Sequence, residues 1–136
     1  MTSKDWKNCK GCGLCETRTQ VVWGKGKKSD LMLLGEAPGA DEDLLGEPFV
    51  GRCGELLTKM LSQCGVARED VYITNVVKCR PVVGKKNRAP KKEEIDSCKG
   101  WLWSEIKDLK PKVILTFGKV PTGLILKLKK TFKLGD

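Results

Sequence analysis

The sequence predicts an α/β protein, a three-layer α/β/α sandwich around a short parallel sheet of three strands. Short apolar runs at residues 31–34, 71–77 and 113–117 lack the polar alternation of a half-exposed strand, as expected of strands buried on both faces. Segments with helical periodicity separate them, and alternation of strand and helix is the pattern of a parallel sheet with crossover helices. At 136 residues the chain has room for one domain, 1–136.

The stretch from Cys9 to Trp23 is punctuated by Gly and Cys and reads as a wrap without regular structure. Residues 31–34 form the first strand, stopping at Gly35, and a loop rich in Gly, Pro and carboxylates follows over residues 36–50. Over residues 54–64 the spacing of Leu56, Leu57, Met60, Leu61 and Cys64 predicts a core-facing helix, with Gly65 suited to end it. Residues 71–77, β-branched and aromatic, form the second strand. A basic turn, GKKNRAP, occupies residues 84–90, and Ile95, Cys98, Leu102 and Ile106 then mark a helix over residues 91–109. Residues 113–117 form the third strand, an amphipathic segment covers residues 120–128, and a basic tail follows.

The net charge of +9 is spread along the chain, which points to a polyanionic partner such as nucleic acid. No run approaches the roughly 18 apolar residues of a membrane span, and the charged start lacks a signal peptide's apolar core. A soluble, cytoplasmic protein without a membrane partner is the expectation. There are seven cysteines and no histidine. An odd count argues for metal ligation rather than a disulfide framework, and the missing imidazole leaves acid-base work to carboxylates, Lys, Tyr, Cys or the backbone.

Cys9 and Cys12 form a CxxC pair, and Cys79 and Cys98 lie far along the chain, one at a strand end and one within a helix. Four thiolates suit tetrahedral zinc or a [4Fe-4S] cluster, and spacing does not separate the two. Cys15 adds a third candidate to the first pair. Cys53 and Cys64, in or beside the first long helix, read as small buried hydrophobes.

Three strings carry more. GEAPGADEDLLGEPFVG at residues 35–51 closely resembles the first motif of the family 4, iron-sulfur uracil-DNA glycosylases. TNVVKCRP at residues 74–81, followed by NRAP, is similar to the second motif, and CKGCGLCETRTQVVWG at residues 9–24 is similar to the family's opening. The resemblance covers nearly the whole chain, with the cysteines in register. It implies a uracil-DNA glycosylase-like fold and a [4Fe-4S] cluster on Cys9, Cys12, Cys79 and Cys98, with Cys15 outside it. It also implies excision of uracil from single- or double-stranded DNA by hydrolysis of the N-glycosidic bond, a step of DNA repair.

In that reading Phe49 resembles the residue that stacks on the flipped base, and Asn75 resembles the uracil reader, whose amide donates to O4 and accepts from N3-H. Gly35, Glu36 and Ala37 line the same pocket. Glu36, Glu42 and Asp43 are candidates for positioning water or stabilising the cationic sugar. Lys85, Lys86 and Arg88 of the basic turn are candidate phosphate contacts. Apart from the motifs, Phe49 would read as a core residue and Asn75 as a turn cap.

Family members continue with a further strand and a His-Pro-Ser loop whose histidine stabilises charge on the departing uracil. This sequence stops at Asp136, short of both. The expectation is therefore a fold lacking its C-terminal strand, with an edge beside residues 113–117 that a protein partner would cover. Activity is expected to be weakened or lost, since removing such a stabiliser costs on the order of a hundredfold. The alternative is a non-catalytic DNA-binding or partner-binding module derived from a glycosylase, as in a replication accessory or viral protein.

Overall fold

The computed structural model describes the backbone over residues 6–132 and the side chains over residues 7–127; the end of the basic tail, residues 133–136, lies outside the described residues. One four-stranded sheet organises the chain, in the order β1 (Lys25–Gly26), β3 (Tyr72–Asn75), β2 (Leu31–Gly35), β6 (Val113–Thr116). β2 runs parallel to both β3 and β6, as predicted. The two-residue β1 is an antiparallel addition beside β3 that the sequence did not announce. A separate two-stranded hairpin, β4 (Val82–Val83) with β5 (Lys86–Asn87), stands where the basic turn was expected.

The unbroken apolar run of β2 is explained by its two faces. Leu33 packs with Leu57, Leu61, Val71 and Ile73 against α2 (Arg52–Gln63). Its neighbour Leu34 packs on the opposite side with Val76, Val77, Cys98, Leu102 and Ile125, against α3 (Lys92–Leu109) and α4 (Lys119–Phe132). Alternation along the strand thus buries successive leucines against different helices, which makes the architecture α/β/α.

The structure corrects the sequence in three places. The loop over residues 36–50 contains a short helix, α1 (Ala40–Leu45), because the Glu42 carboxylate accepts from the Gly39 N–H at 2.9 Å and satisfies one of the donors a helix start leaves open. The buried stripe of α2 is narrower than predicted: Gly54, Leu57 and Leu61 are buried, whereas Leu56 is 58% and Met60 51% exposed. Cys53 and Cys64 are exposed, not core residues, because only the line through positions 54, 57 and 61 meets the sheet. The second strand is shorter than residues 71–77, but the N–H groups of Val76 and Val77 still donate to the carbonyls of Gly35 and Glu36, so the chain leaves the sheet pinned to the end of β2. Among the described residues β6 is the last strand on its side of the sheet, and Val113 and Leu115 are exposed. No helix among the described residues is long and apolar enough to cross a membrane.

Candidate functional site

In a parallel sheet the C-terminal strand ends lie together, and here they carry the motif residues. Register pairs Gly35 with Asn75, the last residues of β2 and β3. A cleft of about 590 Å³ opens at this end, lined by Gly35, Glu36, Ala37, Glu42, Phe49 and Asn75, with contributions from α2, Asn87 and Phe117. That volume lies in the range of small-molecule sites. The five residues expected to bind the base therefore share one cavity.

Gly35 sits between the two side chains that matter most. A Cβ at this position would stand 2.5 Å from the Asn75 Oδ1 and 2.7 Å from the Phe49 Cε2, so only glycine lets the amide and the ring approach the strand end together. Asn75 is 3% exposed, which holds its amide in one place. Phe49 has φ +53°, a left-handed conformation that costs a non-glycine residue energy and is found at sites where geometry is imposed by the surroundings. Its ring packs beside Phe117 at 5.9 Å between centroids.

The three candidate carboxylates divide by their partners. Asp43 is buried, does not line the cleft, and accepts from the Thr19 and Gln20 N–H groups at 2.9 and 3.4 Å, tying the N-terminal wrap to α1. Glu42 accepts from three N–H groups, those of Gly39, Val50 and Gly51 at 2.9, 3.0 and 2.8 Å, and so braces the loop that carries Phe49. Glu36 lines the cleft without such a bracing bond among the described residues, and Asp41, which sequence reasoning passed over, lines it too. The hydrogen-bond partners each acid finds in the fold, and not its residue type, distinguish them.

In the hairpin, Lys85 and Lys86 are exposed. Arg88 is not: its guanidinium makes a paired contact with both oxygens of Glu94, each at 2.7 Å, and also donates to the Val82 carbonyl. The cations that the turn offers to solvent are the lysines. Asn87, from the same hairpin, reaches the cleft and accepts from Arg80 at 2.6 Å.

A second cavity gathers the distant cysteines. Cys9, Cys12, Cys79 and Cys98 all line it, together with Arg18, Lys78 and Trp101; Cys15 does not. Hydrogen-bond donors face three of these sulfurs. The indole of Trp101 donates to Cys9 at 3.3 Å, Arg18 to Cys79 at 3.4 Å, and the Lys78 backbone N–H to Cys98 at 3.2 Å. Burial pushes the Cys98 thiol up to about 12 and the Cys79 thiol up to about 11, with the same Lys78 N–H and Arg18 opposing the shift. Donors aimed at sulfur favour the charged thiolate, which is the form that binds metal. Among the described residues no three His, Cys, Asp or Glu side chains are placed to hold a single metal ion.

Between the cavities lies a buried polar network. Lys78 Nζ donates to the Glu105 carboxylate, to the Thr74 hydroxyl at 2.5 Å and to the Asn75 carbonyl at 2.7 Å. Tyr72 donates to Glu105 at 2.6 Å, and burial together with that carboxylate raises the phenol above its ordinary value. Lys78 also lies over the Trp23 ring at 5.2 Å. Nothing local in the sequence signals this network, since its members come from β3, the segment after it and α3.

Comparison with known proteins identifies the family. The family model described as the uracil DNA glycosylase superfamily matches residues 23–135. A type-4 uracil-DNA glycosylase of Archaeoglobus fulgidus is 47% identical over 122 residues, covering 89% of this chain and 60% of that protein. Type-4 uracil-DNA glycosylases of Pyrobaculum aerophilum and Thermotoga maritima are 47% and 43% identical, each over 96% of this chain and over 66% and 67% of their own lengths. The chain thus spans about three fifths to two thirds of the length of these relatives.

Proposed function

The chain belongs to the uracil DNA glycosylase superfamily, and from that premise we propose that it excises uracil from DNA by hydrolysing the N-glycosidic bond of a flipped nucleotide. The observation that carries this reading is the arrangement around Gly35, where an aromatic ring and a buried amide meet a side-chain-free strand end in one cleft. A base extruded from DNA needs a face to stack on and a fixed partner for its Watson-Crick edge. Phe49 supplies the face. The Asn75 amide donates to O4 and accepts from N3-H, a pattern that cytosine inverts.

In the reaction the bond between the sugar C1′ and the base N1 breaks, its electrons leaving with uracil, and a water oxygen bonds to C1′ while its proton passes to a carboxylate and, in the net reaction, to the uracil anion. Glu36, which lines the cleft as Asp41 also does, is the carboxylate that orients this water and faces the cationic sugar; Glu42 keeps the loop in shape. Lys85 and Lys86 meet the phosphate backbone, a contact that positions the DNA without reading its sequence.

Cys9, Cys12, Cys79 and Cys98 would hold a [4Fe-4S] cluster in this reading. Four thiols line one cavity and hydrogen-bond donors face three of their sulfurs, which supports a thiolate-ligated group there. When bound, the cluster ties the N-terminal wrap to α3.

The test is excision of uracil from single-stranded and duplex oligonucleotides by the full chain beside an Asn75→Asp variant. The expected result is release of free uracil that the variant loses. Binding of uracil- and thymine-containing strands with equal affinity and without excision would overturn the reading.

A further inference from the structure

The strained conformation of Phe49 has an identifiable holder. Arg68, in the 3-10 turn Arg68–Asp70 that follows α2, sends its guanidinium back to the loop. One terminal nitrogen donates to the Pro48 carbonyl, and the other to the Phe49 carbonyl at 2.5 Å and to the Thr58 hydroxyl at 3.0 Å. Thr58 in turn donates to the Gly54 carbonyl at 3.0 Å, which fixes the far end of the arrangement to the first turn of α2. Beneath the same carbonyl, α2 offers no side chain: a Cβ on Gly54 would stand 2.8 Å from the Phe49 Cα and nearer still to its carbonyl group. From the other side, Gly35 admits the ring. Phe49 is thus held at its backbone by Arg68 and Gly54 and at its ring by the opening over Gly35.

We infer that Arg68 is a positioning residue for the base-binding cleft, holding Phe49 in its left-handed conformation so that the ring presents a fixed stacking face. The assignment rests on the reading of the cleft given above. The fork geometry is what the task requires. Two successive carbonyls and a hydroxyl are reached at once by a planar group with donors on both terminal nitrogens, and an ammonium on a flexible stem cannot span them. Charge alone would be replaceable by lysine; a clamp would not. Arg68 does not line the cleft, so its contribution passes entirely through the loop.

The experiment uses the full chain with Arg68→Lys, Arg68→Met and the milder Thr58→Val. Two readouts are taken: amide hydrogen exchange over residues 49–52, and the ratio of affinities for single-stranded oligonucleotides with one uracil or one thymine at the same position. Both Arg68 variants are expected to raise exchange in the loop and to lower the uracil preference by roughly tenfold, about the effect of losing one charge-assisted hydrogen bond, while thymine-strand binding through phosphates is retained. Thr58→Val should move both readouts in the same direction by less. Unchanged exchange in both Arg68 variants, or a lysine variant that keeps the wild-type uracil preference, overturns the clamp. A wild-type chain that never prefers uracil overturns the reading of the cleft instead, and the two failures are told apart because exchange is measured without any ligand.

Discussion

The ammonium group of Lys78 and the carboxylate of Glu105 form an ion pair in which the side chains are 1% and 2% exposed. Lys78 joins the two cavities: its backbone N–H donates to the Cys98 sulfur, and its Nζ donates to the carbonyl of Asn75. Breaking a buried pair from one side leaves the other charge without compensation. Lys78→Met is therefore expected to destabilise the fold by roughly 3–5 kcal/mol in urea denaturation, and Glu105→Gln in that background to recover part of the loss. A loss below about 1 kcal/mol would show that Tyr72 and Thr74 satisfy Glu105 unaided.

Gly35→Ala places a methyl group against the Asn75 amide and the Phe49 ring. Uracil preference is expected to fall by roughly tenfold or more, with a stability cost of about 1–3 kcal/mol from local overpacking. Affinity for uracil- and thymine-containing strands, measured beside thermal unfolding, checks both parts.

Glu36→Gln and Glu42→Gln should fail in different ways. Glu36 faces the cleft, so its variant is expected to slow excision by roughly a hundredfold while the melting temperature stays near wild type. Glu42 receives three loop N–H groups, and its variant is expected to lose about 1.5–3 kcal/mol of stability. A Glu36 variant with the wild-type rate would remove it from the chemistry.

The Arg88 guanidinium, bonded to both carboxylate oxygens, holds Glu94 below the usual carboxylate range. A carboxylate whose pKa is lowered on folding contributes stability that is complete above its unfolded value of about 4.3 and is lost as pH falls through the folded value. Wild type should accordingly lose urea stability on acidification below that point more steeply than Arg88→Met. Parallel pH profiles for the two would refute the coupling.

Cys98→Ala is expected to abolish iron content and the broad visible absorption of an iron-sulfur centre, and to lower solubility. Cys15→Ala should keep both iron and colour, since Cys15 stands outside the cavity that the other four cysteines line. Full iron in the Cys98 variant would refute the ligand assignment.

Much of the fold was legible because it rests on short-range pattern. Leu33 and Leu34 alternate onto two helices, an unbroken apolar run is the mark of that situation, and Gly65 ends α2 where helix geometry needs a left-handed residue. The outer face of α2 was misread because apolar spacing does not say whether a stripe meets a sheet or a cleft wall. Leu56, Met60 and Cys53 took the second course. The short helix α1 was missed because its start depends on the Glu42 carboxylate folding back on Gly39, in a stretch whose Gly and Pro content reads as loop.

Read alone, the sequence carried the family and the parallel sheet, and through the family resemblance it pointed to one pocket for Gly35 and Asn75 and one site for Cys9, Cys12, Cys79 and Cys98. Motif order and strand ends carry that information along the chain. The tertiary structure alone decided which acids are committed and which face the cleft, that Arg88 turns to Glu94 while Lys85 and Lys86 stay exposed, and that Arg68 grips Phe49 from nineteen positions away. Those outcomes depend on which donors a fold brings within about 3 Å of a given oxygen, and separation along the chain contains no record of that distance.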